Sequence, residues 1–95
     1  MNEATRRWHV YIVRCADDSL YTGVAKDLAA RIAVHNEGRG AKYTRGRRPV
    51  ELVYYETAPD RAAALKREMR IKRMTAQAKR RLTTPGLLPP TRSDA

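Results

Sequence analysis

The apolar positions of this chain fall into short blocks whose period changes along the sequence. From Trp8 to Cys15 the residues are rich in valine, isoleucine, tyrosine and tryptophan, and both alternating faces are apolar. That pattern predicts a strand covered on its two sides. Ala16-Asp17-Asp18-Ser19 is turn material, and Leu20-Tyr21-Thr22-Gly23-Val24 returns as a second strand, giving a β-hairpin. Asp27 is a candidate N-cap for a helix over Leu28 to Asn36, ended by Gly38, with Leu28, Ala29 and Ile32 on its buried side. A glycine-punctuated loop from Gly38 leads to a third strand over Pro49 to Glu56. Pro59-Asp60 opens a longer helix through roughly Arg73, and Thr75 caps a last short helix through Leu82.

The order β-β-α-β-α-α predicts an α+β domain. Its small three-stranded antiparallel sheet is flanked by helices, and the third strand returns after a helix to pair with one of the hairpin strands. So few strands are stable only where helices cover them. The expected boundaries are an N-terminal extension over 1–7, one domain over 8–84 and a flexible tail over 85–95.

At 95 residues the chain is expected to form a single domain that buries roughly 60–68% of its unfolded surface. No apolar run approaches the roughly 18 residues of a membrane span. Met1 to Arg7 carry no apolar signal core, so the cytoplasm is the expected compartment. The single cysteine, Cys15, cannot form an internal disulfide and is expected in the core.

Charge changes this picture most. Twenty lysines and arginines against ten acids give a net charge of +10. A compact chain so charged repels itself, which points to a polyanionic partner, nucleic acid first; a solvated basic face is the alternative. An anionic membrane surface fits less well, because neither basic helix has an opposite face rich in Trp, Phe or Leu. The loop from Gly38 to Pro49 contains Arg39, Lys42, Arg45, Arg47 and Arg48 and no acid. It is suited to follow a phosphate backbone while Tyr43 stacks on a base. A second basic region runs from Lys66 to Arg81.

Several side chains carry candidate chemistry. Tyr11 and Tyr21 lie on neighbouring antiparallel strands, so their hydroxyls can converge on one face; two core tyrosines are the alternative. Gly23, inside a strand, marks a bulge or a close backbone approach. Arg31 and His35 are one helical turn apart, about 5–6 Å between Cβ atoms, along the edge of the Leu28-Ile32 stripe. The arginine offers a planar fork for phosphate oxygens. Glu68 has a helical phase between Leu65 and Ile71 and therefore points toward the interior or its rim. It requires either an i,i+4 partner, Lys72, or a hard cation.

Taken in this order, His9-Val10-Tyr11, Tyr21-Thr22-Gly23, the run from Leu20 to Asn36, Gly38 to Thr44 and the helix bearing Glu68 resemble the GIY-YIG nuclease family. The likeness covers about Trp8 to Arg81 and is nearest the small stand-alone bacterial branch. It implies a single-metal endonuclease that hydrolyses DNA phosphodiesters, structure-selective and linked to repair or recombination, similar to the incision module of the bacterial excision-repair protein UvrC. By position, Tyr21 would be the general base or its immediate relay, with Tyr11 in support. Arg31 would stabilise the in-line transition state, Glu68 would hold Mg²⁺ or Mn²⁺, and His35 would hydrogen-bond the nucleophile or Tyr21. Gly23, Lys26, Arg39, Lys42, Tyr43, Arg45, Arg47, Arg48 and Lys72 are the candidate nucleic-acid contacts.

Bare acidity favours His35 as the base, since bringing a phenol from a pKa near 10 to about 7 takes roughly 4 kcal/mol. The resemblance favours Tyr21. The first triplet lacks the family's glycine, and no asparagine follows Asn36. A catalytically weak or inactive nucleic-acid-binding adaptor on the same scaffold is the alternative function.

Overall fold

The computed structural model describes residues 7–84; the expected tail and the extension before Arg7 lie outside the described residues. The strands are β1 (Trp8–Arg14), β2 (Leu20–Ala25) and β3 (Glu51–Ala58), and the helices are α1 (Leu28–Asn36), α2 (Lys42–Arg45), α3 (Arg61–Lys72) and α4 (Ala76–Thr83). The sheet order is β2-β1-β3, with both pairings antiparallel. The first strand is therefore central, and β3 returns to it and not to β2, a choice the sequence pattern left open.

Each face of β1 feeds a different core. Val10 and Ile12 pack with Tyr54, Ala58, Ala64 and Ile71, which places α3 on that side, with Met74 and Leu82 at its margin. Tyr11 and Val13 point the other way, toward Val50, Leu28 and Ile32, which places α1 there. Each fully buried aliphatic side chain of this kind contributes about 1.5–3 kcal/mol. Cys15 is a buried free thiol, as expected, although the strand ends one residue before it. No helix among the described residues is long and apolar enough to cross a membrane.

The predicted caps form. Asp27 accepts from the Ala30 amide, Asp60 from Ala63 and Thr75 from Ala78, each contributing about 1 kcal/mol. Gly38, at φ 82°, ends α1: its amide donates to the His35 carbonyl and the Arg39 amide to that of Val34. This left-handed termination closes the last carbonyls and favours glycine.

Two expectations are corrected. The basic loop is not wholly irregular, because Lys42–Arg45 forms the four-residue α2, with Thr44 and Arg47 amides donating to the Ala41 and Thr44 carbonyls. One turn of helix is too short to leave a periodic signature. Ala29 is exposed; the face turned to the sheet repeats at Leu28, Ile32 and His35, and Ala29 lies about 100° away.

Asn36 joins α1 to the residue before β3 by acting as a strand would. Its amide donates to the Val50 carbonyl at 3.2 Å, and its carbonyl accepts from the Val50 amide at 2.7 Å. Replacing Asn36 by alanine leaves both Val50 groups unpaired and is expected to destabilise the fold by about 1–3 kcal/mol. Asn36→Asp keeps the acceptor and should lose less, as measured by the urea midpoint of each variant.

Candidate active site

The site is built outward from β1. Tyr11 is fully buried and lies directly opposite Gly23 of β2. A Cβ placed on Gly23 would stand 2.5 Å from the Tyr11 hydroxyl and 2.7 Å from Cζ. The glycine is needed because the phenol ring occupies the space of a side chain. That is the close approach anticipated at this position, but it is made by Tyr11; Gly23 is itself buried, so its expected contact with nucleic acid is corrected.

From there a chain of polar groups runs inward. The Tyr11 hydroxyl lies 2.8 Å from Nε2 of His35, and Nδ1 of His35 lies 2.8 Å from the Thr44 hydroxyl. Thr44 in turn donates to the Ala41 carbonyl at 2.9 Å. The hydroxyl of Thr44 has one proton and spends it on Ala41, so it accepts from Nδ1–H. Nε2 is then bare and accepts the phenolic proton of Tyr11. His35 and Thr44 are fully buried. Space for the imidazole comes from a second glycine: a Cβ on Gly40 would collide with the His35 ring and stand 2.9 Å from its Cα.

Burial sets the charge state of this relay. It pushes the Tyr11 phenol above its ordinary value of 10.0, against the Arg31 guanidinium beside it, which pulls down; charge on Tyr21 or Glu68 adds to the rise. It also pushes His35 below 6.5, and the nearby Arg31 acts in the same direction. At neutral pH both groups are uncharged.

Arg31 therefore lies next to two neutral polar groups. Its Nε is buried without an acceptor, and among the described residues no carboxylate pairs with its guanidinium. Tyr21 is half-buried, its ring edge-on to His35 at 5.5 Å and stacked on Tyr43 at 5.9 Å. Glu68 comes from α3, the helix that covers the opposite face of β1 and also runs along edge strand β2. Its carboxylate is only 16% exposed, pairs with Lys72 at 3.2 Å, and exerts a field that reaches the Tyr11 phenol. Tyr11, Tyr21, Arg31 and His35 thus lie together, and Glu68 has the interior-facing phase expected of it.

The donor set around Glu68 is a single carboxylate. Among the described residues no group of three His, Cys, Asp or Glu could enclose a metal. A hard divalent cation is commonly held by one or two carboxylates, with waters and phosphate oxygens completing its shell.

The nine expected nucleic-acid contacts are dispersed. Lys26, Arg39, Lys42, Arg45 and Arg48 are exposed, yet Lys26 lies over Trp8 and Arg39 pairs with Glu37. Arg45 donates to the Gly40 carbonyl, and Arg48 donates to those of Arg45 and Asn36. Arg47 is held by Asp17 and by the Tyr43 carbonyl. Lys72 is committed to Glu68. On α3, Lys66, Arg70 and the capping Arg73 form an exposed basic row. Thr44 and Gly40, which hold His35, were missed as site residues. Inside a basic loop, a hydroxyl and a glycine read as flexible surface, and only the fold turns them inward.

Comparison with known proteins adds to this geometry. The family model described as the GIY-YIG catalytic domain matches residues 7–81. A UPF0213 protein of Staphylococcus epidermidis is 58% identical over 77 residues, covering 81% of this chain and 94% of that protein. One of Staphylococcus aureus is 60% identical over 73 residues, covering 77% and 89%. The solution NMR structure of a UPF0213 protein from Bacillus halodurans superposes with a TM-score of 0.54 at 38% identity, covering 83% of this chain and 88% of that one.

Because native His35 binds its proton only below 6.5, the unfolded chain takes up that proton first as the pH falls. Stability is therefore expected to decline as pH drops below about 6.5, until the depressed native value is passed. Chemical denaturation at several pH values checks this, and the difference between wild type and His35→Gln isolates the contribution of this imidazole.

Proposed function

Since the chain belongs to the GIY-YIG family and within it to the UPF0213 group, we propose that it is a metal-dependent endonuclease acting on DNA, selective for substrate structure and serving repair or recombination. The observation that carries this reading is the cation of Arg31, set between two neutral polar groups with no carboxylate paired to it among the described residues. Such a cation suits an anion that arrives from outside, and its planar fork matches the oxygens of a phosphodiester.

The roles follow from exposure and partners. Tyr21 is the half-buried phenol of the pair, and no protein group among those described hydrogen-bonds its hydroxyl. It accepts the proton of the attacking water. His35, though nearer in acidity, has no exposed surface and both ring nitrogens engaged. It reaches the reaction only through Tyr11. Arg31 donates to the non-bridging oxygens as charge accumulates on them in the in-line transition state. Glu68 would hold the divalent ion, which when bound supplies Lewis-acid stabilisation of the phosphate and the leaving oxygen.

A second reading is favoured by one contact. Lys72 already satisfies Glu68 at 3.2 Å, so the carboxylate needs no metal to be stable where it is. On that reading the protein is a nucleic-acid-binding adaptor without turnover.

Cleavage of duplex, flapped, four-way and single-stranded DNA with Mg²⁺ or Mn²⁺ separates the two. The nuclease reading expects Arg31→Ala, Glu68→Ala and Tyr21→Phe each to lose about 10²-fold or more in kcat. The adaptor reading expects no metal-dependent cutting and unchanged or tighter binding in Glu68→Ala. Under either, about five phosphate contacts give a slope of log K against log salt near −4.5.

A further inference from the structure

Beyond its packing against the Tyr11 core, Tyr21 is flanked by two rings. Its ring is edge-on to His35 at 5.5 Å and 66°, and stacked on Tyr43 at 5.9 Å and 22°. Tyr43 is in turn fixed from outside: the Arg47 guanidinium carbon lies 4.0 Å over its ring, and Arg47 Nη1 donates to the Tyr43 carbonyl at 2.7 Å. Arg47 is anchored to the β1–β2 turn through Asp17 at 3.0 Å and through the Ala16 amide, which donates to the Arg47 carbonyl at 2.9 Å. The next residue after Tyr43 is Thr44, the partner of His35 Nδ1. Two consecutive side chains of α2 thus grip the two rings whose relative placement defines the site.

We infer that Tyr43 is a positioning residue, which with Arg47 behind it clamps the Tyr21 ring against His35, and not a platform on which a nucleic-acid base stacks. Its π surface is already engaged twice within the protein, although the side chain is 39% exposed. A base stacking on it would compete with Tyr21 and Arg47 for that surface. The base-stacking role expected for Tyr43 is thereby replaced. The consequence for catalysis rests on the reading of Tyr21 as the proton acceptor; the clamp itself does not.

The test compares Tyr43→Leu, which removes the stack, with Tyr43→Phe, which keeps it. In the free protein, Tyr43→Leu is expected to shift the aromatic NMR signals of Tyr21, and Tyr43→Phe to leave them close to wild type. Affinity for a single-stranded oligonucleotide, measured without divalent metal, should stay within about 2-fold in Tyr43→Leu, whereas loss of a base-stacking ring would weaken it about 5- to 150-fold. In the cleavage assay Tyr43→Leu should lower kcat about 10- to 100-fold at unchanged KM, with activity restored in Tyr43→Phe. Unmoved Tyr21 signals, or an affinity loss of about 5-fold or more in Tyr43→Leu, overturn the inference. If the wild-type protein does not cut, the nuclease reading falls, while the NMR and affinity measurements still decide the role of Tyr43.

Discussion

The structure depends on keeping a buried chain of polar groups fully paired. Tyr11, His35, Thr44 and the Ala41 carbonyl form an unbroken donor-to-acceptor series across the layer between sheet and helix. Away from water, one missing partner in such a series costs about 1–3 kcal/mol. The requirement propagates outward. Gly23 has to leave room for the phenol and Gly40 for the imidazole. The short α2 has to turn Thr44 inward, and the Asn36 latch keeps the end of α1 against the start of β3.

The same relay fixes the electrostatics of the site. A neutral phenol and a neutral imidazole flank a guanidinium with which no carboxylate pairs among the described residues. The sole carboxylate among the five, Glu68, is contributed by the helix on the other side of the sheet. The net charge of +10 is a poor guide to which basic side chains are available. Arg39, Arg47 and Lys72 have acidic partners, and Arg45 and Arg48 brace the basic loop through carbonyls. The outer row of α3 carries positive charge with fewer internal commitments.

Much of the fold was legible in the sequence because its signals are local or periodic. Doubly apolar β1, the caps at Asp27, Asp60 and Thr75, and the stop at Gly38 each depend on residues within a few positions of one another. So did the shared face of Arg31 and His35 and the inward phase of Glu68. Helix α2 was not legible, being shorter than any period, and Ala29 was placed on the wrong side because small apolar residues do not report a face.

Sequence alone determined the three strands, the three longer helices and their order, since backbone geometry and hydrophobic period are properties of short segments. Tertiary structure alone decided what those side chains touch. That Gly23 serves Tyr11, that Thr44 sets the tautomer of His35, and that Tyr43 is engaged by Tyr21 and Arg47 are facts about atoms far apart in the chain. They follow from how sheet and helices close on one another so that the buried Tyr11–His35–Thr44 series stays paired.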